Sequence, residues 1–233
     1  MTVIPYRTAL IVGAGSGISA ALARALAASG LALGLAARNT EKLAGLAAET
    51  RAAMFPADAA DPAAIARLFT AAEARLGPPD LVVYNASARV QGPLAELDPE
   101  AVRHALAVTA FGGFLVAREA ARRMIPAGRG AILFTGASAS VKGFARSAPF
   151  AMGKFALRGL AESAARELGP KGIHVAHFVI DGGVRSARRP DPPEHPESTL
   201  DPDAIAAAYL AVLAQPPSAW SFAVELRPAV EPF

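Results

Sequence analysis

Apolar runs of four to seven residues alternate along this chain with longer stretches in which apolar positions recur every three to four residues. The short runs have the length of buried strands and the longer ones the period of helices packed on a core, so the alternation predicts a parallel sheet with crossover helices. Thr8 to Val12 reads as the first strand. Ile18, Leu22, Ala25, Leu26 and Ser29 then mark one helix face, which Gly30 stops by accepting a left-handed backbone. Leu31 to Ala36 is the second strand, Thr40 caps a helix through Thr50, and Ala52 to Pro56 is the third strand. Asp61-Pro62 pairs an N-cap with proline at the first helical position and opens a helix to Leu76. Leu81 to Tyr84 follows as strand four.

The second half repeats the pattern. Pro99 opens helical structure that breaks near Thr109 to Gly113 and reaches Ile125. Ala131 to Thr135 is strand five, Ser147-Ala148-Pro149 begins a helix ended by Gly169-Pro170, and His174 to Ile180 is strand six. Asp201-Pro202 starts a last helix to about Ala214, and Trp220 to Leu226 is strand seven. No repeat and no long linker divides the chain. The prediction is one α/β domain over residues 1–233, a doubly wound parallel sheet of about seven strands with helices on both faces. Arg185 to Leu200 is rich in proline and charge, too polar to pack, and is expected to form a mobile flap.

With 53% hydrophobic residues the chain can fill a core, which excludes disorder. The net charge is +3, but the arginines stand singly or in pairs (Arg122-Arg123, Arg188-Arg189), so no nucleic-acid partner is expected. The absence of cysteine excludes disulfides and thiolate metal ligands. No signal-peptide core follows Met1, and no window reaches the roughly eighteen uninterrupted apolar residues of a membrane span. A cytoplasmic protein without a membrane partner is the expectation.

Gly13, Gly15 and Gly17 lie where strand one turns into its helix. Glycines there permit a tight turn and let backbone approach a pyrophosphate seated on the helix N-terminus. Gly13, Gly15, Ser16, Gly17 and Ile18 are therefore candidate phosphate-binding residues. An acid at the end of strand two would bond a ribose 2′-hydroxyl and favour NAD. Ala36-Ala37-Arg38-Asn39 has none. Arg38 can instead grip a 2′-phosphate bidentately, which favours NADP over NAD.

Val12-Gly13-Ala14-Gly15-Ser16-Gly17-Ile18-Ser19 and Phe150-Ala151-Met152-Gly153-Lys154 together resemble the short-chain dehydrogenase/reductase family, whose fold is a Rossmann-type sheet. The turn is similar to that family's G-x-x-x-G-x-G, with Ser19 in place of the third glycine. The resemblance implies that Asp58 bonds the adenine amino group. It also implies that Asn85, in Tyr84-Asn85-Ala86-Ser87, belongs to an Asn-Asn-Ala-Gly-like motif on the adenosine side. The family sets a tyrosine four residues before a lysine on one helix, so that the lysine lowers the phenol pKa and the phenol moves a proton while the nicotinamide moves a hydride. That tyrosine maps to Phe150 and the lysine to Lys154. A phenyl ring has no proton to give.

Thr109 stands where the family's asparagine holds a relay water. Ser138 lies at about the right distance before Phe150 for its serine, with Ser140 and Thr135 as competitors. Ile180-Asp181-Gly182 replaces the usual Pro-Gly, and Ser186 stands in for a threonine that touches the carboxamide. The implied catalytic set is thus Ser138, Phe150 and Lys154, and Lys154 also contacts the cofactor ribose. Two functions fit. One is an NADP(H)-dependent oxidoreductase passing hydride to a small carbonyl or conjugated enone, with altered proton delivery. The other is a catalytically silent NADP(H)-binding sensor or scaffold. The resemblance further implies a homodimer or homotetramer, although the family's closing Asp-Gly-Gly is absent. His104, His174, His177 and His195 lack metal-ligand spacing, and no metal is expected.

Overall fold

The computed structural model describes residues 4–187 and 189–230. Its strands are β1 (Thr8–Val12), β2 (Ala32–Ala37), β3 (Ala53–Pro56), β4 (Leu81–Tyr84), β5 (Gly130–Thr135), β6 (Ile173–Ile180) and β7 (Ala223–Leu226). They form one sheet in the order β3-β2-β1-β4-β5-β6-β7, and every neighbouring pair is parallel. The helices are α1 (Ile18–Ala28), α2 (Ala44–Thr50), α3 (Pro62–Leu76), α4 (Pro99–Leu106), α5 (Gly112–Ala127), α6 (Ala148–Leu168) and α7 (Pro202–Leu213).

Side chains alternate across each strand, and this separates two cores. Ala9, Ile11, Leu33, Leu35, Val83, Leu133 and Phe178 pack with α1 and α7 on one face. Leu10, Val12, Val82, Tyr84, Ile132 and Phe134 pack with α3, α5 and α6 on the other. Burying one such side chain contributes roughly 1.5–3 kcal/mol. Central strands do so on both faces, which is why they read as unbroken apolar runs.

The strand order reverses between β1 and β4, so the loops after the carboxyl ends of β1, β2, β4, β5 and β6 converge on one edge of the sheet.

Several local expectations needed correction. The Thr40 side chain makes no cap bond; Asn39 Oδ1 accepts from the Glu41 amide at 2.9 Å instead, and a 3₁₀ turn (Glu41–Leu43) precedes α2. The predicted break near Thr109 is a π-helical turn, Ala107–Phe111, which joins α4 to α5 in one helical rod of 29 residues. The rod's length and apolarity reach those of a membrane span, yet its Leu115, Val116, Ala120 and Met124 are buried in the core. Trp220 lies outside β7. It stacks on His174 at 4.7 Å between ring centroids, and its indole donates to the Gln215 carbonyl at 3.2 Å. Among the described residues between Arg185 and Leu200 no helix or strand forms, and the segment makes contacts within itself. Val184 bridges Leu200, Ser186 bridges Arg189, Asp191 Oδ1 accepts from the Thr199 amide at 2.9 Å, and Arg185 pairs with Asp191 and Asp201.

Candidate active site

Three adjoining cavities run along the carboxyl edge of the sheet, and Asn85 lines all of them. The first, of about 360 Å³, lies between β1 and β2 and is lined by Gly13, Arg38, Lys42 and Asp58 among others. The second, of about 300 Å³, sits over the α1 N-terminus, against Gly15, Gly17, Ile18, Arg185 and Ser186. The third, of about 470 Å³, reaches Arg89, Ala137, Phe150, Lys154, Ser186 and Arg189. Ile18, Val184 and Ser186 are shared by the second and third, so the three form one groove.

The turn at the head of the groove is built by close approach. Gly13 has φ +85°, and a Cβ there would lie 2.3 Å from the Ala86 amide nitrogen, so only glycine fits. The Asn85 side-chain amide donates to Ser19 Oγ at 2.7 Å and to the Gly13 carbonyl at 3.3 Å, and Ser19 Oγ donates to the same carbonyl at 3.2 Å. Asn85 therefore fastens the glycine turn to the end of β4, and Ser19 works as a buried partner where the family pattern has a third glycine. Ser16 is exposed and lines none of the three cavities.

Arg38 and Lys42 face the first cavity, and among the described residues no carboxylate lies within ion-pair distance of either. Asp58 Oδ1 accepts from the Ala60 amide at 2.9 Å, which holds its carboxylate at the cavity wall. Lys42 escaped the sequence analysis. Lys42 lies four residues after Arg38, on the 3₁₀ turn Glu41–Leu43 that follows β2.

At the other end, α6 carries Phe150 and Lys154 on its buried side. Lys154 Nζ donates to the Thr135 carbonyl at 2.7 Å and lies 5.8 Å from the Phe150 ring centroid. Burial, and then the charge of Arg89, push its pKa down to about 7. The phenyl ring is covered by the Arg89 guanidinium, whose carbon stands 4.2 Å from the ring centroid in cation–π contact. Burial, and then Arg189, lower the Arg89 pKa. Neither arginine was singled out from sequence, because only the folded loops bring residues 89 and 189 to one wall. Behind Lys154, His177 is fully buried with no hydrogen-bond partner for either ring nitrogen among the described residues. Burial, then Lys154, then Arg158 push its pKa down to about 4, so it is neutral.

The three hydroxyl candidates lie at or just after the end of β5. Ser138 opens the 3₁₀ turn after β5 and does not line the cavity; Ala137 does. Ser140 is fully buried, its Oγ accepting from the Ala137 amide at 3.1 Å. Thr135 lines the cavity, but its hydroxyl is engaged with the Tyr209 hydroxyl at 2.9 Å. Of this stretch, Thr135, Gly136 and Ala137 line the third cavity together with Phe150.

Thr109 holds protein and not a free site: its Oγ1 accepts from the Ala88 amide at 3.1 Å. It thereby steadies the loop that presents Arg89, while α6 comes so close that a Cβ on Gly153 would lie 2.9 Å from Thr109 Cβ. Asp181 lies outside the cavity lining and pairs with Arg227 at 2.6 Å and Lys142 at 3.7 Å. Ser186 lines the second and third cavities. Among the described residues no cluster of histidines and carboxylates could hold a metal.

Residues 7–191 match the family described as short chain dehydrogenase. The chain is 32% identical to a D-threitol dehydrogenase of Mycolicibacterium smegmatis over 174 residues, 72% of this chain and 67% of that one. A solved short-chain dehydrogenase from Rhodopseudomonas palustris superposes with a TM-score of 0.82 at 37% identity, over 95% of this chain and 98% of that one. A gluconate 5-dehydrogenase from Burkholderia cenocepacia, solved with NADP and tartrate, superposes with a TM-score of 0.85 at 28% identity, over 96% of this chain and 94% of that one.

Proposed function

Because the chain belongs to the short-chain dehydrogenase family, we propose that it is an NADP(H)-dependent oxidoreductase that reduces a small carbonyl or conjugated enone through a site without the family's tyrosine. The observation that carries this reading is the groove itself. Two cations, Arg38 and Lys42, without a carboxylate partner among the described residues stand at one end, a glycine turn that excludes a Cβ lies beside them, and a buried lysine stands at the other end.

These residues fit a nicotinamide dinucleotide. Arg38 and Lys42 would hold the 2′-phosphate, Asp58 the adenine, Gly15, Gly17 and Ile18 the pyrophosphate, Lys154 the ribose, and Ser186 the carboxamide. When bound, the cofactor supplies the hydride. The chain's own part is electrostatic. Phe150 closes one wall and excludes water, while Arg89 donates hydrogen bonds to an oxygen that gains negative charge. With its pKa near 7, Lys154 can hold or release a proton at Nζ near neutral pH. An enone suits such a site, since its carbonyl oxygen needs a donor while its carbon takes its proton later from water.

Phe150 also favours a second reading, a silent NADP(H) binder, because a phenyl ring has no proton to give. Consumption of NADPH across enones, quinones, ketones and imines, with Lys154→Ala as control, separates the two. Turnover lost in the variant supports the enzyme; tight NADPH binding with no acceptor reduced supports the binder.

The exposed Phe111 and Phe114 of the long rod and Met152 and Phe155 of α6 suit burial against a second copy. A homodimer or homotetramer is the proposed state, measured by light scattering on the eluting protein, and the cytoplasm the proposed compartment.

A further inference from the structure

The third cavity differs in charge from its surroundings. Arg89, Lys154 and Arg189 line it, and no aspartate or glutamate does. Among the described residues no carboxylate lies within 4.0 Å of the Arg89 or Arg189 guanidinium. Cations just outside the wall are treated differently. Arg185 is paired with Asp191 and Asp201, Arg227 with Asp181 and Glu225, and Lys142 with Asp181. The acids of this region are thus committed away from the cavity, and the three cations inside it repel one another. The lowered pKa values of Arg89 and Lys154 are the trace of that repulsion on top of burial.

Building on the reading of the groove as a nicotinamide site, we propose that the substrate is a small carboxylate, an oxo acid or unsaturated acid whose anion is held between Arg89 and Arg189. A guanidinium matches a carboxylate with two parallel hydrogen bonds, and the match is strongest where no other anion competes. The cofactor's own phosphates have other seats. Arg38 and Lys42 line only the first cavity, and the α1 N-terminus lies in the second. Arg89 lines neither of those and stands over Phe150, beside the reacting end. An anion between the two arginines sets the reacting group of the same molecule toward Lys154. The arrangement also selects against neutral alcohols and ketones of the same size, which would leave the cations unneutralised.

The test is calorimetric titration of oxamate, succinate and benzoate into the NADPH-loaded protein, each against its neutral amide. At least one carboxylate should bind about tenfold or more tightly than its amide, the scale of a lost charged hydrogen bond. Arg89→Gln and Arg189→Gln should each remove most of that preference. Arg89→Lys should retain part of it, and NADPH affinity should stay within about twofold in all three variants. Equal binding of every acid and its amide overturns the proposal, as does a carboxylate preference untouched by both glutamine variants. Loss of NADPH affinity in parallel with carboxylate affinity also overturns it, because the arginines would then serve the cofactor. If the unmodified protein fails to bind NADPH, the nicotinamide reading falls alone. The same titrations on the nucleotide-free protein then decide the carboxylate site.

Discussion

The two ends of the groove both gather cations at the sheet edge, but they are built by different means. At the β1–β2 end the work is done by backbone geometry: a glycine that excludes a Cβ, an asparagine that ties the turn to β4, and two surface cations, Arg38 and Lys42. At the α6 end it is done by buried charge. Lys154 donates to the Thr135 carbonyl, a guanidinium lies on a phenyl ring, and Ala137 is part of the lining. A backbone cradle tolerates little change, since any side chain on Gly13 meets Ala86. A charged cavity tolerates exchange of one proton donor for another so long as the charge is kept. The chain departs from the family pattern mainly at the second kind of site.

The largest expected effect lies at the α6 end. Lys154→Ala should lower turnover on any accepted substrate by roughly 10²–10⁴, the usual contribution of a positioned proton-transfer group. Single-turnover oxidation of NADPH measures it, and a loss below about tenfold would place the proton elsewhere. Phe150→Tyr should move carbonyl reduction the other way, by up to roughly 10²-fold, because it restores a phenol 5.8 Å from Lys154 as measured at the present ring centre. No gain would indicate that Arg89 blocks the approach to that hydroxyl.

At the β1–β2 end the expected change is in choice of cofactor. Arg38→Asp should weaken NADPH binding by about 10–100-fold and leave NADH nearly unchanged, since charged hydrogen bonds to the 2′-phosphate are lost. Lys42→Ala should act in the same direction by a smaller factor. Fluorescence titration with both nucleotides reads this, and equal affinities in the unmodified protein would remove the basis for NADP preference.

The smallest effect is on stability. The folded-state pKa of Lys154, about 7, lies below its ordinary 10.5, so between those values the unfolded chain binds more protons. Stability therefore rises with pH across that window, and the burial penalty is complete below it. Lys154→Met should raise Tm near pH 6, by roughly 2–4 °C for each kcal/mol recovered, and should bring no gain near pH 10.5. His177, neutral with a pKa near 4, adds an acid-side loss as pH falls from about 6.5 toward 4, in unmodified protein and variant alike.

The order of strands and helices was legible in the sequence because each element carries its own period and its own stop. The run Thr8–Val12, the Asp61-Pro62 start and the Leu81–Tyr84 run coincide with the observed elements. Asn39 in place of Thr40 as the cap, and the π-turn at Thr109, were not legible, since both follow from which neighbour reaches a backbone group first. Gly13 and Arg38 drew notice by their places at the ends of β1 and β2, and Asp58, Asn85 and Lys154 by resemblance to the family's motifs; all five line the groove. The sequence by itself thus determined the sheet, the glycine turn and the missing phenol. Only the tertiary structure decided that Ala137 and not Ser138 lines the third cavity, and that Arg89 from the β4 loop, over Phe150, and Arg189 from the segment after β6 line that same cavity. Those residues meet across about one hundred positions of chain. No local period encodes that distance; the converging loops of a parallel sheet close it.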